Sequence, residues 1–372
     1  STGATAKDIM YDVLPLYHTS GGICAVGATF AVGGSVVLRR KFSVTEFWND
    51  CARYKPTLFQ YIGELCRYLL NAPPHQQETA HHLRLIIGNG LRPEIWQAFQ
   101  TRFKIPKIVE FYGATEGNVA LLNFDGKVGA VGRVPDYAQK RLPIHVIKFD
   151  VEKEEPVRDP ATGFCQRCAA GEVGEAVGKI DAGEPRTSFE GYSKGSDTEK
   201  KKLRDVFEKG DVFFRTGDLM KRDALGYFYF VDRIGDTFRW KGENVATSEV
   251  AEALSLYPGV KEANVYGVKV GALDGRAGMA AIVAAPELDL AGLPAYLEQQ
   301  LASYARPLFL RLLKGEMEIT GTFKHRKVEL VKEGFDPATL TDPLFWLDPD
   351  SKTYKPLDPA TYARLVAGEV KL

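Results

Sequence analysis

"KIVEFYGATEGN", residues 107–118, is the stretch on which the reading of this chain turns. Lys107 to Tyr112 form a short apolar run with the length and β-branched content of a strand, and it breaks into Gly113, Thr115, Glu116 and Gly117. At a strand tip those residue types suit a nucleotide. Tyr112 offers a flat π-face to a base, Gly113 lets the backbone approach a phosphate, Thr115 brings a hydroxyl, and Glu116 a carboxylate suited to Mg²⁺. A strand end with a turn and a solvated acid is the bland alternative, and the stretch alone does not decide between them.

Working outward, the neighbouring residues read as alternating helix and strand. "FSVTEFWNDCARYKP" (42–56) has a capping-box pattern from Ser43 to Glu46 and then Val44, Phe47, Trp48 and Cys51 at helical spacing. "TLFQYI" (57–62) is strand-like, "ELCRYLLN" (64–71) helical, and "LRLII" (83–87) a strand that closes on Gly88, Asn89 and Gly90. A helix with Pro93 in its first turn follows. Strands separated by helices predict parallel pairing, with ligand loops beyond the carboxyl ends of the strands, where both 88–90 and 113–117 fall.

Past Gly126 the texture changes to short strands and turns in "PIHVIKFD", "GEVGEAVGKI" and "GYFYFVDR". After Arg233 comes the glycine- and charge-rich "IGDTFRWKGEN", then the helical "TSEVAEALSLYPG", the strand-like "VKEANVYGVKV" and "GMAAIVAA", the helical "LPAYLEQQLASY", and a tail of Pro, Asp and aromatic residues. The expected fold class is α/β: a truncated large N-terminal domain of parallel α/β layers over 1–234, with a small β-rich subdomain at about 135–234, and a mobile α+β C-terminal domain over 235–372.

Composition bounds the function. Lys plus Arg number 48 and Asp plus Glu 48 among 372 residues, so a polyanion partner such as nucleic acid is disfavoured. A hydrophobic share of 45% with 26% charged residues belongs to a folded globular enzyme. The five cysteines are an odd set. Cys24, Cys51 and Cys66 lie in apolar surroundings, and Cys165 and Cys168 form a CxxC without the second pair that a structural zinc site needs. A reducing, cytoplasmic compartment is expected, or a peripheral place on the cytoplasmic side of a membrane. No apolar run approaches a membrane span, and "STGATAKD" at the start has no signal-peptide core.

Three more candidates join the first stretch. In "FFRTGDLM", Asp218 follows a strand and a glycine, where its carboxylate can accept both hydroxyls of a ribose. Arg233 lies fifteen residues on. In "EITGTFKHRKVEL", Lys324 sits after a Thr/Gly loop, where its ammonium can meet an anionic reacting centre. A solvated charge is the ordinary alternative for each.

The order of "LPLYHTSGG", "GNGLRP", "FYGATEGN", "GAVGRVP", "RTGDL", "DRIGDTFRWKGEN" and "TGTFK" resembles that of adenylate-forming acyl-CoA synthetases over nearly the whole chain. "QYIGELCRYLLN", "DRIGDTFRWKGENVATSEV", "YARPLFLRLL" and "VKEGFDP" look like the fatty acid transport protein, or very long-chain acyl-CoA synthetase, branch. The resemblance implies that Gly88, Asn89, Gly90 and Tyr112 surround adenine. It puts Gly113 and Thr115 at phosphate, Glu116 on magnesium, Asp218 and Arg233 on the ribose, and Lys324 between the α-phosphate and the carboxylate. His18 is implied near the acyl carboxylate, against the alternative of a core histidine, and Gly235 at a hinge. ATP, Mg²⁺, coenzyme A and a long-chain fatty acid are the implied ligands.

Two departures stand out. A phosphate loop of the form YTSGTTGxPK belongs upstream of "LPLYH" and is not in this sequence, so the chain resembles the C-terminal part of a longer enzyme. Phe323 replaces the usual Gly before the lysine, as in the transport-protein branch. The expected activity is ATP-dependent formation of acyl-CoA through an acyl-adenylate. The alternatives are a non-catalytic fatty acid or nucleotide binding fragment and an adenylation domain serving a carrier protein. Gly22 stands where some long-chain synthetases carry a bulky gate, so an open acyl entrance is expected.

Overall fold

A computed structural model describes residues 3–113, 117–151, 153–181, 183–184, 187, 189, 195–315 and 327–372. The first sheet has six strands: β1 (Ile9–Asp12), β2 (Ser35–Leu38), β3 (Leu58–Ile62), β4 (Leu85–Asn89), β5 (Ile108–Gly113) and β6 (Ala120–Asn123), in the order β2-β1-β3-β4-β5-β6. All pairs are parallel except β5 with β6. Each parallel step needs a crossover; the predicted helices supply those after β2, β3 and β4, and the segment Ser20–Ala31 the one after β1.

Helix Val44–Tyr54 begins as the Ser43 pattern requires, the Ser43 side chain accepting from the Glu46 N–H at 3.3 Å. Helices Gly63–Asn71 and Pro93–Phe103 complete the layer, the latter with proline in its first turn, where the missing N–H costs nothing. Together they bury Phe47, Trp48, Leu65, Trp96, Phe99 and Phe103 against Phe59, Tyr61, Ile86 and Ile108 of the sheet. The opposite face carries Met10, Leu58, Leu85 and Val109 under Ala25.

Ala25 belongs to a π-helical segment, Ser20–Gly27, that runs into helix Ala28–Ala31. Two glycines let it wind tightly against the preceding loop. A Cβ on Gly21 would stand 2.6 Å from the Pro15 carbonyl oxygen, and one on Gly22 2.3 Å from that of Leu16. A bulky residue at 22 therefore displaces backbone before it gates anything.

The second sheet is antiparallel, with strands Gly132–Arg133, Tyr227–Arg233, Val212–Arg222, Val173–Lys179 and Ile144–Ile147 side by side in that order. Beyond Arg233, the turn at 234–236 leads to the hairpin Phe238–Trp240/Glu243–Val245, whose two connecting residues, Lys241 (φ 53°) and Gly242 (φ 83°), are both left-handed, as a tight two-residue turn demands.

A five-stranded sheet follows: Val260–Val268, Ala277–Ala284, Phe309–Leu312, Leu344–Asp348 and Thr353–Pro356. The residues read as a Pro- and Asp-rich tail thus supply its last two strands. Their alternation, Leu344, Trp346 and Asp348 buried, is masked in composition by the flanking turn residues. The main hydrophobic cluster of this part starts at Phe238, while the others end at Phe228. Among the described residues no helix is long and apolar enough to cross a membrane.

Candidate active site

The carboxyl ends of β1, β4 and β5 deliver His18, the 88–90 loop and Tyr112 to one edge of the first sheet. From the second sheet, strand Val212–Arg222 brings Asp218 to the same place: the Tyr112 hydroxyl donates to Asp218 Oδ2. Asp218 lies opposite Arg233 in the adjoining strand, with Arg233 Nε 3.9 Å from Oδ1.

Local geometry aims the carboxylate. Gly217 has φ +77°, open to glycine at little strain, and the Asp218 N–H is turned onto the Thr216 hydroxyl at 3.1 Å. Thr216 in turn donates to the Ala176 carbonyl at 2.7 Å. The ladder slips one register just after, between Leu219 and Met220, as a bulge does when it re-aims a side chain. Burial, then the charge of Asp218, raises Tyr112 well above the ordinary phenol range, so it stays a donor and leaves its ring face for other contacts.

The 88–90 loop is held by closeness of backbone. A Cβ on Gly88 would meet the Tyr61 carbonyl oxygen at 2.1 Å, and one on Gly63 the Gly90 oxygen at 1.7 Å; Gly90 itself has φ +77°. Under the loop lies Glu110, 2% exposed, receiving the Tyr61 hydroxyl and the Leu91 N–H at 3.1 Å. Burial pushes its carboxyl up to about 8 against the pull of those hydrogen bonds. Asn89 Oδ1 is buried without a partner, an acceptor placed where an incoming N–H can use it.

Two further polar side chains, which sequence reasoning missed, share the face of Met10 and Leu58. Asp12 and Gln60 are both 0% exposed. Asp12 Oδ1 accepts from the Leu14 N–H at 3.0 Å, but Oδ2 and both amide atoms of Gln60 have no partner. Burial pushes Asp12 up to about 6. The signal was present as a polar residue inside each apolar run, "IMYD" and "LFQYI", and Glu110 interrupts "KIVEFY" in the same way.

The remaining candidates stand apart. The His18 ring lies against Tyr17, centroids 4.6 Å apart, and the His18 backbone N–H donates to the Pro15 carbonyl at 3.1 Å. No hydrogen bond or ion pair among the described residues joins it to Tyr112, Asn89 or Asp218. Gly113 ends β5 with room for a Cβ, its nearest neighbour the Val119 oxygen at 3.7 Å. Gly235 has nothing within 4 Å of a Cβ and no left-handed φ, so this conformation does not itself require glycine there. Thr115, Glu116 and Lys324 lie outside the described residues. Cys165 and Cys168 are free thiols, and among the described residues no three His, Cys, Asp or Glu converge as a metal site.

The AMP-binding enzyme family matches residues 1–175, and the AMP-binding enzyme C-terminal domain matches residues 249–324. The chain is 47% identical to long-chain fatty acid transport protein 6 of Mus musculus, with 100% of this chain and 60% of that protein covered. It is 49% identical to long-chain fatty acid transport protein 1 of the same organism, over 99% and 57%. The chain thus spans less than two thirds of the length of these curated relatives. Among solved structures, ATP-bound MatB from Rhodopseudomonas palustris superposes with a TM-score of 0.71 at 26% identity, covering 88% of this chain and 60% of that one. An o-succinylbenzoate CoA synthetase from Bacillus subtilis in complex with its acyl-adenylate shares the fold, with a TM-score of 0.67 at 24% identity over 88% and 62%.

Proposed function

The chain belongs to the AMP-binding enzymes, in the branch of the long-chain fatty acid transport proteins, and from that premise we propose that the polypeptide carrying it activates long or very long fatty acids as acyl-CoA. One observation carries this reading. Tyr112, Asp218 and Arg233 meet at the carboxyl edge of a parallel sheet whose adjoining strand β4 ends in a buried, unpartnered Asn89 acceptor.

In this reading Asn89 Oδ1 accepts from the exocyclic amine of adenine, the Tyr112 ring packs on the base, and Asp218, held by the Tyr112 hydroxyl, receives both ribose hydroxyls. A carboxylate oxygen of the fatty acid attacks the α-phosphorus, the bond to the bridging oxygen breaks, and pyrophosphate leaves. The sulfur of CoA then attacks the acyl carbon, AMP leaves, and the thiol proton passes to solvent. Lys324 neutralises charge at phosphorus in the first step, and His18, in the loop after β1, stands on the acyl side. The magnesium assignment rests on Glu116 alone. Residues 1–234 and 235–372 are taken as the two units, with Gly235 in the turn about which the second swings between the steps. Five free cysteines support a reducing, cytoplasmic setting, or a peripheral one on the cytoplasmic side of a membrane.

A second reading, binding of fatty acid or nucleotide without turnover, draws on the partial coverage of the relatives. Palmitate-dependent exchange of pyrophosphate into ATP, measured on this chain and on a polypeptide extended to the relatives' length, separates the two. Exchange by the extended protein that Lys324→Ala lowers by about 10²-fold or more supports the ligase, with thioester formation from supplied acyl-adenylate largely kept. Nucleotide binding without exchange in either protein overturns it.

A further inference from the structure

Two arginines reach from the first part of the chain into the C-terminal part. Arg67, in helix Gly63–Asn71, is 6% exposed. Its Nη2 lies 2.7 Å from Glu64 and 3.2 Å from Glu262, and its Nη1 donates to the Lys261 carbonyl. Arg92, just ahead of helix Pro93–Phe103, donates to Ser255 Oγ at 3.0 Å and stands 3.4 Å from Glu64. Glu94, two residues further, has no such match. Both its carboxylate oxygens are buried without a hydrogen-bond partner, and the side chain that faces them is Glu252 of helix Thr247–Ser255.

Two facing carboxylates, one with both oxygens out of water, repel each other when both are ionised, whereas one proton shared between them replaces repulsion by a hydrogen bond. We propose that Glu94 and Glu252 form a proton-dependent clasp between the first part of the chain and its C-terminal part, closed when the pair shares one proton and loosened when both acids are ionised. The clasp does not depend on the ligase reading.

The surroundings favour that assignment. Burial first, and Glu252 next, push Glu94 up to about 7, over the opposing pull of the backbone N–H of its own helix and of Arg92. At the same junction Arg92 stands at the N-cap of Glu94's helix, Glu64, Arg67 and Tyr68 lie on helix Gly63–Asn71, and Lys261 and Glu262 on strand Val260–Val268. Glu64 and Glu262 are taken by the arginines. Despite burial, Arg67 is held above the ordinary arginine range by Glu64 and Glu262, and burial raises Tyr68, so neither changes charge near neutrality.

The sign follows from which state holds the proton. Closed, Glu94 binds it up to about pH 7. Parted, Glu94 faces water and returns to the ordinary carboxylate range near 4.3. Closure is therefore strongest below the ordinary value, weakens as pH rises toward 7, and is flat above. From pH 5.5 to 7.5 the closure constant falls by about twentyfold.

Amide hydrogen exchange on the full chain tests this, with no nucleotide or turnover needed. Protection factors across 247–262 and 64–71, corrected for intrinsic exchange, should drop by about twentyfold between pH 5.5 and 7.5 in the unaltered protein. In Glu94→Gln an amide replaces the titrating acid, so the step should shrink to about twofold or less; Glu252→Gln removes the second carboxylate but leaves Glu94 buried, so there the step should shrink only in part. Arg67→Met should weaken protection at both pH values and keep the step. The clasp is overturned if the unaltered chain shows no step, if folded Glu94→Gln keeps it, or if folded Glu252→Gln keeps it undiminished.

Discussion

Asp218 and Glu94 are both carboxylates at junctions between parts of this protein, yet their surroundings are opposite. Asp218 has the Tyr112 hydroxyl on one oxygen and the Arg233 guanidinium near the other. Glu94 faces a second carboxylate, and both its oxygens are buried without a side-chain donor among the described residues. We read the first as an acceptor for ribose hydroxyls and the second as a group that holds its place by holding a proton. Residue type says little about role here, and the donors supplied by distant segments decide it.

The largest effect that would break this contrast is at Asp218. If it receives two ribose hydroxyls, Asp218→Ala leaves both unpaired in a partly dry site, a loss of about 2–4 kcal/mol. ATP affinity of the extended polypeptide should fall by about 30-fold or more in titration calorimetry. An unchanged dissociation constant would remove the ribose role and make Asp218 another structural acid.

Glu110 sharpens the contrast from between. It has donors as Asp218 does, and is as dry as Glu94, and dryness wins, since its carboxyl is pushed up to about 8. The folded state thus binds the Glu110 proton more tightly than the unfolded chain. Its stabilising effect is full below the ordinary glutamate value and is lost as pH rises toward 8. Glu110→Gln should flatten the pH dependence of protection in β3, β4 and β5, by roughly 2 kcal/mol between pH 5.5 and 7.5 relative to the unaltered chain. Equal slopes would show that Glu110 is ionised in place.

What could be read from sequence tracks the range of the interaction. The Ser43 cap, the strands around Phe59, Ile86 and Val109, and the loop at Gly88–Gly90 depend on neighbours within a turn or on a two-residue period, and these were legible. Tyr112 and Asp218 were each legible as candidates but not as partners, because the hydrogen bond between them spans 106 residues. Arg67 and Glu262, 195 apart, left no local trace at all. The π-helical Ser20–Gly27 escaped because its winding follows neither the strand nor the α-helix period, and Asp12 and Gln60 because their burial needs the parallel register.

The smallest effect concerns Tyr112, and it asks whether Asp218 owes its readiness to that one hydroxyl. Tyr112→Phe keeps the ring for a base and deletes the donor, so the loss is that of one hydrogen bond to a charged group, roughly 1.5–3 kcal/mol when buried and less where water can replace it. The side chain of Asp218 is 16% exposed and that of Arg233 55%, so water and the guanidinium can both compensate. ATP affinity should therefore weaken by only about three- to tenfold, short of the loss at Asp218. Combining Tyr112→Phe with Asp218→Asn separates the routes. If the hydroxyl acts through the carboxylate, the double variant should be little worse than Asp218→Asn alone; additive losses would mean that Tyr112 binds the ligand by its own hydroxyl, and that Asp218 needs no donor from the first sheet.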